Sequence, residues 1–140
     1  RRVVLFRSAA IAVSSSVSAR NVVLNSGGNI TVSNSVTATG GWVSMRTVNG
    51  NIEVNASVTA SYGGDILLRA MGAGVGSISG TGNLTANGAF GGNMNGGNIR
   101  MIADGGINYS GALSAIGDEE GGSILVKTAS GAINFTGPSL

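Results

Sequence analysis

One pattern recurs six times along this chain, and each copy begins with an isoleucine. The pattern runs apolar–polar–apolar, then three residues, then apolar–polar–small, and the copy at 30–38, ITVSNSVTA, shows it in full. Alternation with a period of two indicates a short β-strand with one buried face. The copies begin at Ile11, Ile30, Ile52, Ile78, Ile107 and Ile133.

A second alternating segment precedes each copy, usually after one or two glycines. Successive isoleucines lie 19, 22, 26, 29 and 26 residues apart, so the repeat changes length while its patterned segments do not. The extra residues fall in corners at 69–77, 86–97 and 115–122, as in proteins built from stacked repeats. The inward pairs predicted for the second segment are Val3 and Leu5, Val22 and Leu24, Val43 and Met45, Ile66 and Leu68, Ile99 and Met101, and Ile124 and Val126.

Stacking explains why the same residue type returns at the same place in each repeat. In parallel coils Ile30 would lie about 4.8 Å from both Ile11 and Ile52, whereas an antiparallel meander gives no reason for the recurrence. We therefore predict an all-β fold, a right-handed parallel β-helix or solenoid of about six coils with three short strands per coil. Residues 1–140 would form it as a single segment, roughly 29 Å long at that rise.

Recurrent small residues mark the predicted corners. Gly-Gly pairs indicate sharp turns, which we expect often to have positive φ. Alanines that close the repeats are expected to stack where the cross-section is narrow. The pairs are Gly27-Gly28, Gly40-Gly41, Gly63-Gly64, Gly96-Gly97 and Gly121-Gly122, and the alanines are Ala19, Ala38, Ala60, Ala86 and Ala115.

The composition excludes several classes of function. Charged residues make up 10% of the chain and aromatic residues 4%, and there is no cysteine or histidine. Disulfides and sulfur-ligated metal sites are therefore excluded, and a net charge of +2 predicts no nucleic-acid partner. No apolar run reaches the 18 or so residues that span a membrane. Residues 1–6 lack a signal-peptide pattern and the sequence does not begin with methionine, so we expect a processed piece or an interior segment of a longer protein that forms a rod or filament.

Several repeat units resemble the repeat region of filamentous-haemagglutinin-type exoproteins, the large adhesins exported by two-partner secretion. The resemblance rests on GNITV at 28–32, GDILLRA at 64–70 and VTATG at 36–40, and it covers nearly the whole chain. It implies an elongated extracellular rod, associated with a bacterial outer membrane, that displays loops or polymerises. These motifs specify a fold far better than a function.

No enzymatic site is predicted. The six carboxylates are Glu53, Asp65, Asp104, Asp118, Glu119 and Glu120, and none pairs with another across neighbouring coils as acid and base would. The acidic loop at 117–121 is interpreted as a solvated corner and not as a calcium site. We therefore predict no catalytic residue, metal or cofactor. Asparagines on outward positions are expected to form hydrogen-bonded ladders or turns between coils.

A sparse basic stripe is the main candidate binding feature. Arg46, Arg69 and Lys127 occupy the same slot of their strands, with Ile102 between the last two and with Arg7, Arg20 and Arg100 flanking them. Such a stripe could bind an acidic polysaccharide, a surface glycan or an anionic polymer. A surface glycan or receptor is thus a possible partner of the chain. The alternative is that an exposed strand carries charge for solubility.

Neither end of the sequence contains an obvious capping segment. We therefore predict end-to-end contacts, with further coils or with separate copies, through Val3, Leu5, Phe6, Phe135 and Leu140. The predicted function is a structural or adhesive module of a secreted or cell-surface bacterial repeat protein. The alternative is a polysaccharide-binding protein, with polysaccharide cleavage less favoured.

Overall fold

The structure is a computed structural model that describes residues 2–7, 9–89 and 94–139, with the backbone alone for residues 2–4, 6 and 7. The described residues form seventeen strands and no helix. The strands are β1 Arg2–Arg7, β2 Ile11–Val13, β3 Val17–Ala19, β4 Asn21–Ser26, β5 Ile30–Val32, β6 Val36–Ala38, β7 Val43–Thr47, β8 Ile52–Val54, β9 Val58–Ala60, β10 Ile66–Ala70, β11 Ile78–Gly80, β12 Leu84–Thr85, β13 Ile99–Ala103, β14 Ile107–Tyr109, β15 Leu113–Ser114, β16 Ile124–Thr128 and β17 Ile133–Phe135.

Each strand pairs with the strands three places before and after it in the chain, and all these pairs are parallel. The first sheet has the order β1-β4-β7-β10-β13-β16, the second contains β2, β5, β8, β11, β14 and β17, and the third contains β3, β6, β9, β12 and β15. The chain therefore winds as a β-solenoid with three sheets and three strands per coil, as the repeat predicts. Five coils are complete, and β16 and β17 begin another.

The register of the second sheet follows the isoleucine repeat. Ile30 pairs with Ile11 on one side and with Ile52 on the other, and the column continues without a slip to Ile133. Ile30 and Ile52 are fully buried, and such burial contributes about 1.5–3 kcal/mol per side chain. Ile133 is 48% exposed, because β17 pairs on one side only. The predicted aliphatic ladder is thus confirmed and is incomplete only at the last coil.

Hydroxyl groups occupy an inward position that the aliphatic pattern does not predict. The side chains of Ser26 and Thr47 are buried at the ends of β4 and β7. Thr47 Oγ1 donates a hydrogen bond of 2.6 Å to the carbonyl oxygen of Gly50, and Ser26 Oγ donates one of 2.6 Å to that of Ala9. Buried polar groups require such partners, so these hydroxyls fix the corner between the first and second sheets.

Glycines of successive coils stack at the corner before the first sheet, where the backbone of one coil lies in close contact with the backbone of the next. A Cβ at Gly64 would lie 1.6 Å from the carbonyl oxygen of Gly41, and a Cβ at Gly97 would lie 2.1 Å from that of Gly64. The expectation that the Gly-Gly pairs often have positive φ is wrong, because among their ten residues only Gly63 does. Most of these pairs are glycine because coils approach closely at the corner, and not because of a left-handed turn.

Tyr109 is the largest fully buried side chain of the core. Its hydroxyl donates a hydrogen bond to the carbonyl oxygen of Gly82. Its ring stacks on Phe135 with centroids 6.4 Å apart, and Phe135 is half-buried against the core. Burial raises the pKa of the Tyr109 hydroxyl, because the phenolate would lose its hydration.

This raised pKa predicts a loss of stability in alkali. The unfolded chain releases the phenolic proton near pH 10, while folded Tyr109 retains it. The contribution of Tyr109 to the free energy of unfolding is therefore constant below about pH 10 and falls as the pH rises above that value. Urea unfolding at about pH 8 and about pH 11 should show this fall in the wild type and a smaller one in Tyr109→Phe.

The control for this prediction is Tyr62→Phe, which removes the same hydroxyl from a side chain that is 61% exposed. This variant should keep the alkaline loss of the wild type. Equal flattening of the pH dependence by both variants would contradict the role given to Tyr109.

Candidate functional site

The predicted basic stripe lies on the outer side of the first sheet. Arg46 and Arg69 pair directly across β7 and β10, Arg69 pairs with Ile102, and Ile102 pairs with Lys127. Arg46 and Lys127 are exposed and Arg69 is half-buried, so the column faces outward. The structure therefore brings the three predicted residues into one column, and its binding function stays a prediction.

Arg100 lies beside this column, in a second column of outward side chains on the same strands. Arg100 pairs with Leu67 on β10 and with Leu125 on β16. It is therefore diagonal to both Arg69 and Lys127, at about 7 to 8 Å between Cα atoms. We call this surface the basic face, and define it as Arg46, Leu67, Arg69, Arg100, Ile102, Leu125 and Lys127.

Carboxylates lie outside the basic face. By register the nearest are Asp65 and Asp104, in the corners at its two edges. Asp65 Oδ1 accepts a hydrogen bond of 2.8 Å from the backbone N–H of Asn98, and Asp104 Oδ2 accepts one of 3.0 Å from that of Gly72. Glu53 lies on the second sheet and accepts a hydrogen bond from the side chain of Asn55. Over the described ranges, no group of three or more acidic residues is placed to hold a metal ion.

Asparagine side chains link successive coils at the corners, as predicted. Asn98 shows the arrangement most fully: its Nδ2 donates to Asp65 Oδ1 at 3.2 Å, and its Oδ1 accepts from the backbone N–H and hydroxyl of Ser123 at 3.1 and 2.6 Å. Side-chain oxygens that accept from the backbone of the next coil belong to Asn21, Asn29, Asn51, Asn83, Asn87 and Asn98. These hydrogen bonds stabilise the coil-to-coil register at the corners.

A groove of about 340 Å³ opens on the outer side of the third sheet. Thr59, Ser61, Tyr62, Thr85 and Asn87 contribute to its lining. Tyr62 has a φ of 58° and precedes Gly63, whose φ is 73°. The backbone N–H of Gly64 donates to the carbonyl oxygen of Ser61, which makes this corner a tight turn with both central residues in the left-handed region.

We predict that Tyr62→Asn stabilises the protein. A left-handed conformation costs a residue with a bulky side chain about 1–2 kcal/mol, and asparagine tolerates it better. Since the ring is mostly exposed, little packing is lost. The free energy of unfolding measured in urea should rise by about 0.5–1 kcal/mol. Val48→Asn, at a corner residue that is 64% exposed and has no positive φ, should change it little. A decrease for Tyr62→Asn would show that the ring makes contacts worth more than the strain.

The predicted end contacts are only partly described. Leu5 and Phe135 are half-buried at inward positions of the first and last coils. The side chains of Val3 and Phe6 are outside the described part of the structure, as is the whole of Leu140. Ile133 was assigned to the core ladder by the repeat, but the last coil leaves it partly open.

Parallel strands wound in three sheets around an aliphatic core define this chain as a β-solenoid with a repeat architecture. No protein-family model, curated protein or solved structure matches it. None of the described residues belongs to a helix long and apolar enough to cross a membrane.

Proposed function

We propose that this chain is a structural module of an extracellular bacterial adhesin or surface filament of the filamentous-haemagglutinin type. The observation that carries the proposal is the unbroken register of three stacked sheets. Such a stack holds the loops at its corners at a fixed spacing of about 4.8 Å per coil along the axis. Catalysis has no part in this proposal.

The variable length of the corners supports the proposal that the solenoid displays loops. A single residue, Arg20, connects the third sheet to the first after β3, whereas residues 86–98 make the same connection after β12. The strands on either side nevertheless stay in register. The stack therefore accepts long loops without a change in its core, and loops on a rigid scaffold are where binding residues concentrate.

The last coil supports a continuing stack. Ile124 and Val126 are inward residues of β16 but only half-buried, and Ile133 is 48% exposed. The outer edges of β16 and β17 carry backbone groups without a strand partner in the described residues. Further coils would cover this end, either from more of the same chain or from a second copy joined head to tail, a contact that does not close.

Sedimentation velocity over a range of concentrations distinguishes the two versions. Stacking of copies predicts concentration-dependent growth that Ile133→Lys abolishes and Val75→Lys does not. Val75 is the matched control, because it is 50% exposed in a corner and not at the end. A chain that stays monomeric favours continuation within a longer protein. Growth that both variants abolish equally would contradict end-on stacking.

The module role itself is tested by deleting residues 90–93 from the long connection between β12 and β13 in the secreted protein. The rod should keep its length in electron micrographs, because β12 and β13 each pair with strands of both neighbouring coils. A rod that shortens or collapses would contradict the proposal that corners are displayed and not structural.

A further inference from the structure

We propose that the basic face binds a linear anionic polysaccharide of the polyuronate class, with the sugar chain running along the solenoid axis. The binding groups are the side chains of Arg46, Arg69, Arg100 and Lys127. Leu67, Ile102 and Leu125 lie between them and would contact the sugar rings.

The register sets the cations out as a continuous line. Arg46 and Arg69 lie directly opposite each other, about 4.8 Å apart at the backbone. Arg100 is the diagonal neighbour of Arg69, and Lys127 is the diagonal neighbour of Arg100. Four coils in succession thus contribute one cation each, over an axial distance of roughly 14 Å.

Placing these positive charges side by side destabilises the sheet, and a bound anionic ligand would remove the repulsion. Like charges directly opposite each other in a sheet are destabilising, and Arg46 faces Arg69 in this way. Outward positions of β7, β10, β13 and β16 carry no acidic side chain. Asp65 and Asp104, at the corners, direct an oxygen at a backbone N–H. Among the described residues, the four cationic groups have no ion-pair or hydrogen-bond partner.

The shape of the face favours a polyuronate over other anions. Arginine binds carboxylates through two parallel hydrogen bonds, and a polyuronate carries one carboxylate on each sugar ring. Exposed aliphatic side chains match the C–H faces of sugar rings, and Leu125 is 45% exposed. Outward residues of β4, β7, β10, β13 and β16 include no aromatic side chain, so the base stacking used by single-strand nucleic-acid binders is missing there.

The test is calorimetric titration of the full chain with polygalacturonate, with dextran as the neutral polymer. Binding to polygalacturonate and not to dextran is expected, and it should weaken steeply with added salt. Arg69→Gln should weaken binding about fivefold, and the double variant Arg46→Gln with Arg69→Gln about twenty-five-fold. Both variants should be at least as stable as the wild type, because each removes like-charge repulsion.

The sequence predicts that Arg20 flanks the stripe, but the structure places it in the corner before β4, at the opposite end of the strands from Arg46 and outside the basic face. Arg20→Gln is therefore the matched control, since it removes one exposed positive charge away from that face. It should change the affinity less than twofold, as expected for a charge that makes no direct contact. Absence of binding to polygalacturonate would overturn the proposal, and so would equal weakening by Arg20→Gln and Arg69→Gln. Tighter binding to single-stranded DNA or to phosphatidylglycerol vesicles would also overturn it, because the face would then serve another class of ligand.

Discussion

Ile52→Ala is expected to lower the free energy of unfolding by about 3 kcal/mol. Ile52 is fully buried and lies between Ile30 and Ile78 in the isoleucine column. Its removal leaves a cavity that the coils on either side cannot close without breaking their register. Urea denaturation monitored by circular dichroism measures the change.

Val48→Ala is the control for this prediction, because Val48 is an aliphatic residue in a corner that is 64% exposed. Its free energy of unfolding should change by less than about 0.5 kcal/mol. If Ile52→Ala were as mild as Val48→Ala, the column would not be the core of the molecule.

Gly64→Ala is expected to destabilise the protein by about 3 kcal/mol or more. The added Cβ would lie 1.6 Å from the carbonyl oxygen of Gly41, which is backbone and cannot rotate away. The corner must therefore open, and the hydrogen bonds between neighbouring coils must lengthen with it. Thermal or urea unfolding measures the loss.

Gly40→Ala is the matched control, because it adds the same methyl group in a neighbouring coil. Its Cβ would contact only the Arg20 side chain, at 3.8 Å, and its φ is not in the left-handed region. Stability should stay constant or rise by about 0.5 kcal/mol, since the unfolded chain loses freedom. A loss as large as that for Gly64→Ala would mean that glycine is needed for flexibility and not for close approach.

Much of the strand arrangement could be predicted from the sequence, because the buried residues show which alternate positions of each strand face inward. We call this the parity of the strand. A slip of one residue would turn Ile30 and Val32 outward, so the isoleucine repeat determines the register. Each predicted isoleucine begins a strand of the second sheet. The shared column of Arg46, Arg69 and Lys127 follows from the same parity.

What the sequence did not predict depends on contacts between corners of different coils. The oxygen that fills the space beside Gly64 belongs to a residue in the preceding coil, and the left-handed conformation of Tyr62 follows from the path of its corner. Corner paths vary with loop length, so the repeat carries no information about them. By contrast, Arg100, which the sequence predicts beside the stripe, is diagonal to Arg69 and Lys127 because of the same register that the inward pairs predict.

The stacking of equivalent strands is tested most directly by cysteine cross-linking, because the chain has no cysteine of its own. Thr37 and Thr59 pair directly in the third sheet, about 4.8 Å apart and within disulfide range, while Thr85 lies one coil further on. Thr37→Cys combined with Thr59→Cys should form an intramolecular disulfide on mild oxidation. Thr37→Cys combined with Thr85→Cys should not, since about 9.6 Å separates them. Efficient cross-linking of the distant pair, or none of the adjacent pair, would contradict the solenoid.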